Sequence, residues 1–332
     1  MNHLSVVHGG NLREAQAMYG GALAEWMDLS TGILPFAYPV PPLPEAIWHR
    51  LPELDPALIH AARHYYGAPS VLPVAGTQAA IQALPWLRVP CRVAVLAPSY
   101  AEHALQWRKA GHYVTEYAYA DLEAQIASHQ VVVVCNPNNP TGQIIPIHRL
   151  LAWSESLAAR GGWLIVDEAF VDSRPELSVA AWTHRQGLIV LRSLGKFFGL
   201  AGVRLGFVAA RHDFLAILAK QAGPWSVSVA AQIIGIEALN DRGWQMQTRE
   251  YLQQAGERLQ QLLSAQGWET QGCDLFRYLP HPDAITLQQQ LAQHKIWVRS
   301  WPGAATALRF GLPATEADWL RLERALTSVR NA

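Results

Sequence analysis

Lys196 stands in the run Leu191-Arg-Ser-Leu-Gly-Lys-Phe-Phe-Gly-Leu-Ala-Gly-Val-Arg-Leu-Gly-Phe207, among small and apolar residues. The chain has four lysines, Lys109, Lys196, Lys220 and Lys295, and arginine supplies the rest of its 26 basic side chains. An ε-ammonium in apolar surroundings is poorly solvated, which favours the free amine, a nucleophile able to form a Schiff base with a carbonyl. Ser193 before it and Arg204 after it offer a hydroxyl and a guanidinium to a phosphate. A lone lysine of this kind has a plainer reading, with its stem on apolar surface and its head in water. The choice depends on what else the chain brings to the same place.

Four further groups have chemistry to offer. Tyr100 closes Pro98-Ser-Tyr, Asn139 lies in Asn136-Pro-Asn-Asn-Pro-Thr-Gly142, Asp167 opens Asp167-Glu-Ala-Phe170, and Gly76-Thr77-Gln78 begins a helical pattern. Taken singly they read as a core aromatic, a turn, a cap and an ordinary helix start. Taken together they are the set that pyridoxal phosphate requires. Lys196 is the amine for its aldehyde. Asp167 is the carboxylate that keeps the pyridine nitrogen protonated, so that the ring draws electrons. Asn139 is a donor to the ring hydroxyl, and Tyr100 is a flat face to stack on. Backbone N–H groups at Gly76, Thr77 and Gln78, with Ser193 and Arg204, form the phosphate cradle.

The elements needed to converge these groups are legible. Apolar runs without alternation fall at Arg92–Ala97, Val131–Cys135, Trp163–Asp167, Leu188–Arg192 and Leu205–Ala209. Helical patterns fall at Pro56–Tyr66, Thr77–Leu87, Ala101–Ala110, Leu122–Ser128 and Ile147–Arg160. Such a pattern predicts an α/β fold with a largely parallel sheet buried on both faces. Ligands of such sheets bind beyond the carboxyl ends of the strands, where Tyr100, Asn139, Asp167 and Lys196 all fall. Beyond Pro224-Trp-Ser226, helices at Val227–Leu239 and Trp244–Gln266 lead to a smaller α+β part. It has strands at Leu275–Leu279, Ile296–Arg299 and Ala307–Phe310, and helices at Ala284–Gln293 and Thr315–Val329. Before residue 45 the chain reads as irregular and proline-rich, with a short helix-like run at Leu12–Tyr19. The expected organisation is an arm over 1–45, a large cofactor-binding domain over 46–225 and a small domain over 226–332.

Totals narrow the function. Half of the 332 residues are hydrophobic and 16% are charged, enough for a large core and contrary to disorder. A formal net charge of zero gives no general attraction to nucleic acid or anionic membranes, so an anionic ligand needs a local cluster. The three cysteines, Cys91, Cys135 and Cys273, have no metal spacing and suit a reducing compartment. With no signal-like N-terminus and no apolar run of membrane-spanning length, a cytoplasmic address is expected.

The motifs Asn-Asn-Pro-Thr-Gly, Asp-Glu-Ala-Phe and Ser-Leu-Gly-Lys followed by Gly-Leu-Ala-Gly-Val-Arg-Leu-Gly resemble those of fold-type I pyridoxal-phosphate enzymes of the aminotransferase superfamily. The resemblance covers nearly the whole chain. Two departures are Phe170, where many members have tyrosine, and Gly195, where Ser or Thr is common. Within the superfamily, three stretches are similar to the threonine-phosphate decarboxylases of cobalamin synthesis: His8-Gly-Gly-Asn-Leu-Arg-Glu-Ala15, Asp28-Leu-Ser-Thr-Gly-Ile-Leu-Pro35 and Pro224-Trp-Ser-Val227. Gly32 and Leu34 stand where that family often has asparagine. The resemblance implies decarboxylation of a phosphorylated amino acid by a homodimer. His8, Gly9, Gly32, Asn139, Arg299 and Arg309 would then hold the substrate, two arginines suiting a carboxylate and a phosphate. Decarboxylation needs the Cα–carboxylate bond perpendicular to the cofactor plane, whereas transamination needs the Cα–H bond there, so the placement of the substrate's anions selects the reaction. Histidinol-phosphate aminotransferase is the alternative that the resemblance leaves open. A non-catalytic, DNA-binding relative is disfavoured by the intact Lys196 and by the absence of a basic domain ahead of the fold.

Overall fold

The computed structural model describes residues 9–301 and 306–330, and the chain divides by contact into two compact units. The larger takes in Ala37–Asn139 and Gln143–Gln247; the smaller takes in the chain up to Phe36, Pro140–Gly142 and everything from Thr248 on. These boundaries differ from the 45/46 and 225/226 expected from composition. The helix after Pro224-Trp-Ser226 packs back on the larger unit, and the N-terminal segment enters a sheet of the smaller one.

Among the described residues the larger unit contains β2 (Val71–Val74), β3 (Arg92–Leu96), β4 (Tyr113–Tyr117), β5 (Val131–Cys135), β6 (Trp163–Asp167), β7 (Leu188–Ser193) and β8 (Gly206–Ala209). They form one seven-stranded sheet in the order β2-β8-β7-β6-β5-β3-β4. The pairs β3–β4, β3–β5, β5–β6 and β6–β7 are parallel, while β8 is antiparallel to both β7 and β2. Leu205–Ala209, expected as a further parallel strand, therefore runs the other way. Its first residue lies at the end of the sheet where its neighbours finish, which brings Arg204 to that end.

Successive strand residues face opposite sides. Val93, Val95, Val131, Val133, Ile165, Ile189, Leu191 and Val208 accordingly form one apolar face. It is covered by α3 (Thr77–Ala83), α4 (Glu102–Lys109) and α7 (His212–Ala222), through Ile81, Trp107, Leu215 and Leu218. Helices α5 (Tyr119–Gln125) and α6 (Ile147–Ala158) lie between the parallel strands in sequence. α2 (Pro56–Tyr66) starts with Pro56 in its first turn and Asp55 as its cap, Oδ1 accepting from Ala57 N at 2.8 Å, and stops at left-handed Gly67. α8 (Val229–Asn240) packs on α2 at Gly235, where an added Cβ would come within 3.0 Å of Leu58 Cδ1. Buried Gln232 of α8 accepts from Asp55 N and donates to the carbonyls of Glu53 and Val227, fixing the loop that precedes α2.

Among the described residues the smaller unit has a five-stranded sheet in the order β1-β11-β12-β10-β9. Its strands are β1 (Met27–Leu29), β9 (Gln271–Cys273), β10 (Phe276–Pro280), β11 (Ile296–Trp301) and β12 (Ala307–Gly311). Helices α1 (Leu12–Tyr19), α10 (Ala284–Gln293) and α11 (Glu316–Arg330) belong to this unit, which also takes in most of α9 (Arg242–Ser264). The N-terminal stretch is thus not an irregular arm throughout, since β1 pairs parallel with β11. Lys295 Nζ donates to the carbonyls of Tyr19 and Gly20, and Trp26 packs with Trp297 and Ala15.

Candidate active site

The nine residues that the sequence assigns to the cofactor, Gly76, Thr77, Gln78, Tyr100, Asn139, Asp167, Ser193, Lys196 and Arg204, line one cavity of the larger unit. Cys135, Ala169, Phe170 and Gly195 complete much of its wall. The topology explains the convergence. β3, β5, β6 and β7 are parallel and end together, so the residues after each strand open on one rim.

Asp167, the last residue of β6, is 5% exposed. Its Oδ1 accepts from Ala169 N at 3.1 Å, and its Oδ2 accepts from His103 Nε2 at 2.9 Å. His103 lies on α4 with its ring edge against Tyr100. Burial disfavours its charged form, but hydrogen bonds to Asp167 and Cys135 outweigh burial and raise its pKa to about 10. The imidazole thus fixes the orientation of the Asp167 carboxyl group. His103 escaped the sequence reading because a single histidine in a helix carries little signal.

Tyr100 donates from its hydroxyl to Gln78 Oε1 at 3.1 Å, and Gln78 Nε2 donates to Glu102 Oε2 at 2.7 Å. Its phenol pKa is raised, chiefly by burial and then by the charge of Glu102, so the group stays neutral. The Lys196 amine stands 5.6 Å from the centroid of Phe170. Where a tyrosine could donate a hydrogen bond, Phe170 offers a ring face. Ser193 Oγ accepts from Gly195 N at 3.1 Å, and a Cβ at Gly195 would lie 3.2 Å from Ala201 Cα, which suits glycine there.

Gly76 has φ +74°, and a Cβ added to it would come within 2.6 Å of Arg204 Nη2. A Cβ on Gly206 would come within 2.7 Å of Thr77 N. Arg204, in the left-handed region at φ 57°, donates to Ala201 O at 3.1 Å. Two glycines thus let the guanidinium and the first backbone N–H groups of α3 crowd together, a cradle suited to a phosphate. With an amine, a buried carboxylate and that cradle on one cavity wall, the donor set fits pyridoxal phosphate.

Behind this wall lies a buried ionic cluster. Arg192 of β7 donates to Glu168 Oε2 at 3.0 Å and to Asp172 Oδ1 at 2.6 Å, and its guanidinium lies 4.3 Å from the Tyr66 ring centroid. Glu168 also accepts from Ser178 Oγ and Val179 N. The cluster ties the end of β6 to the end of β7, next to Asp167 and Ser193.

The residues expected to bind substrate fall differently. His8 lies outside the described residues. Gly9 packs its backbone on the Ser30 carbonyl, where a Cβ would collide, and Gly10 N donates to Ser30 Oγ at 2.7 Å. Gly32 is buried in the same segment. Arg299 and Arg309, expected at or near strand ends, each lie two residues from an end of their strand. They are cross-strand partners within β11 and β12. Arg309 Nη2 donates to Ser30 O at 2.7 Å, so that carbonyl joins the N-terminal glycines to this arginine. Burial first, and then the charge of Arg299, lower the pKa of Arg309.

Comparison with known proteins gives a consistent picture. The family model for aminotransferase class I and II matches residues 45–327. The threonine-phosphate decarboxylase of Pseudomonas aeruginosa is 52% identical over 324 residues, covering 97% of this chain and 98% of its own length. That of a Sinorhizobium species is 44% identical, covering 98% of each chain. Among solved structures, the histidinol-phosphate aminotransferase from Sinorhizobium meliloti in complex with pyridoxal-5'-phosphate superposes with a TM-score of 0.81. It is 20% identical and covers 99% of this chain and 96% of its own, a likeness of fold.

Proposed function

Because the chain belongs to the aminotransferase class I and II family, we propose that it decarboxylates L-threonine O-3-phosphate to (R)-1-aminopropan-2-yl phosphate with pyridoxal phosphate as cofactor. The observation that carries this reading is the near-full-length identity of 52% to a threonine-phosphate decarboxylase, together with the amine, carboxylate and phosphate cradle on one cavity. The product is the aminopropanol phosphate of the cobalamin nucleotide loop.

When bound, pyridoxal phosphate supplies a protonated pyridine ring that takes up the electron pair left as a bond to the substrate's Cα breaks. Lys196 would hold its aldehyde carbon, Asp167 its ring nitrogen and Asn139 its ring hydroxyl. Tyr100 would stack on the ring, and Gly76, Thr77, Gln78, Ser193 and Arg204 would hold its phosphate. His103 keeps Asp167 aimed. Arg299 and Arg309 bind the substrate's phosphate and carboxylate, and the segment carrying His8, Gly9 and Gly32 contributes beside them. Carbon dioxide leaves from Cα and one proton replaces it, for which Lys196 Nζ is the available carrier. The protein acts as a cytoplasmic homodimer. Exposed apolar side chains of the larger unit, Leu54 and Trp225 about one groove with Trp48 and Leu51 nearby in sequence, support a subunit contact. Among the described residues no helix is long and apolar enough to cross a membrane.

The test is incubation of the holoenzyme with phosphothreonine, reading carbon dioxide and the amine product without a keto acid. Release of both supports the reading. Amino transfer from histidinol phosphate to 2-oxoglutarate, faster than any release of carbon dioxide, would overturn it.

A further inference from the structure

Both substrate arginines meet at the ring of Trp301. Arg299 Cζ lies 5.0 Å from the Trp301 centroid and Arg309 Cζ lies 5.7 Å from it. The strand register explains this. Arg299 and Arg309 are directly opposite each other in the antiparallel pair of β11 and β12, so they share a face. Trp301 is two residues beyond Arg299 on β11 and points to that same face. Tyr278 of β10, opposite Arg309, packs its ring edge-on to Trp301 with centroids 6.0 Å apart. Phe276, two residues before Tyr278, has its centroid 5.2 Å from Arg309 Cζ. One side of this small sheet therefore carries two guanidiniums set among three aromatic rings.

Two cations side by side repel each other, and each is drawn out of water on this face. The electron-rich face of an indole offsets part of both costs without neutralising either charge. The arrangement favours a ligand bearing two separate anionic groups.

We propose that Trp301 is a positioning residue of the substrate-anion site, holding Arg299 and Arg309 as a forward-facing pair and thereby setting affinity for phosphorylated substrates. This rests on the assignment of the two arginines to substrate binding. Loss of the indole weakens anion binding by about tenfold, the worth of one partly desolvated cation–π contact. Because the contact acts on bound anions throughout the reaction, the loss falls chiefly on KM.

The experiment uses the holoenzyme with Trp301→Leu and Trp301→Phe. It reads the dissociation constant for inorganic phosphate by calorimetry, and KM and kcat for phosphothreonine. The proposal expects Leu to raise both the phosphate constant and KM about tenfold, and Phe to recover most of the loss. Site-specific fluorinated tryptophan at position 301, which drains the ring face at nearly constant shape, serves as a second measurement unaffected by any folding defect in the Leu variant. Phosphate affinity should fall stepwise with fluorine number. The proposal is overturned if fluorination leaves phosphate binding unmoved, if Phe is as poor as Leu, or if the unmodified holoenzyme does not bind phosphate. Phosphate binding is read without turnover. Wild-type protein that binds phosphate but does not decarboxylate phosphothreonine would thus refute the substrate assignment while the variants still decide the role of Trp301.

Discussion

Under the proposed function, the electronics of the site turn on the pair of Asp167 and His103. A carboxylate beside a pyridine nitrogen works only while it is charged, and burial opposes that charge. His103 supplies the compensating cation at 2.9 Å. Asp167→Asn keeps the shape and removes the charge. We expect turnover to drop by orders of magnitude while the visible absorbance of bound cofactor persists, and near-normal turnover would leave Asp167 a structural role only. The partner makes a separate prediction through pH. The His103 pKa is raised from 6.5 to about 10, so folding binds its proton more tightly than the unfolded chain does. The pair's stabilisation is therefore complete below about pH 6.5 and fades as pH climbs toward 10. In thermal melts, the gap in Tm between wild type and His103→Asn should be widest in mild acid and close by pH 10. A gap independent of pH would mean that packing, not charge, is what His103 provides.

At the scale of elements, β6 and β7 are joined by the Arg192–Glu168–Asp172 cluster as well as by their backbone ladder. Cutting one member of such a cluster leaves an uncompensated buried charge. Arg192→Met should cost about 3–5 kcal/mol in urea unfolding, and adding Glu168→Gln should return part of it. Full additivity of the two losses would argue against a shared network. The same strands show what could be read from sequence. β5, β6 and β7 are continuous apolar runs ended by turn chemistry, so the residues beyond them were identifiable as lining one cavity. β4, Tyr-Val-Thr-Glu-Tyr, is a partly exposed edge strand without an apolar run, and β1 and β9 have three residues each, too few for a period. α7 buries only Leu215 and Leu218, a thin stripe easily passed over. Trp301 and His103 could not be recognised because their meaning depends on cross-strand register and on a partner far away in sequence.

For the molecule as a whole, the N-terminal segment lies ahead of the residues that the family model matches. Its helix α1 begins at Leu12, and Leu12 packs against the Trp26–Trp297 cluster, so a truncation should stop after Gly10 to spare that packing. Removing residues 1–10 is expected to leave cofactor absorbance intact and to lower decarboxylation of phosphothreonine by about tenfold or more, as for loss of a charge-assisted hydrogen bond. Gly9→Ala, which would push the backbone off the Ser30 carbonyl, should reproduce part of that loss. Unchanged decarboxylation in both variants would reduce the segment to a tail.

The cavity wall is assembled from short pieces scattered between Gly76 and Leu205, none of which supplies more than a fraction of the lining. No contiguous stretch can capture the cofactor by itself. A refolding chain must therefore order β2 through β8 before it can be coloured, and contacts of such separation form slowly. When the denatured protein is diluted into buffer with pyridoxal phosphate, recovery of far-ultraviolet helical signal should run ahead of the visible band. Simultaneous recovery would mean that the cofactor captures an earlier, partly ordered chain. The yellow colour thus serves as a built-in report that the last strand has arrived.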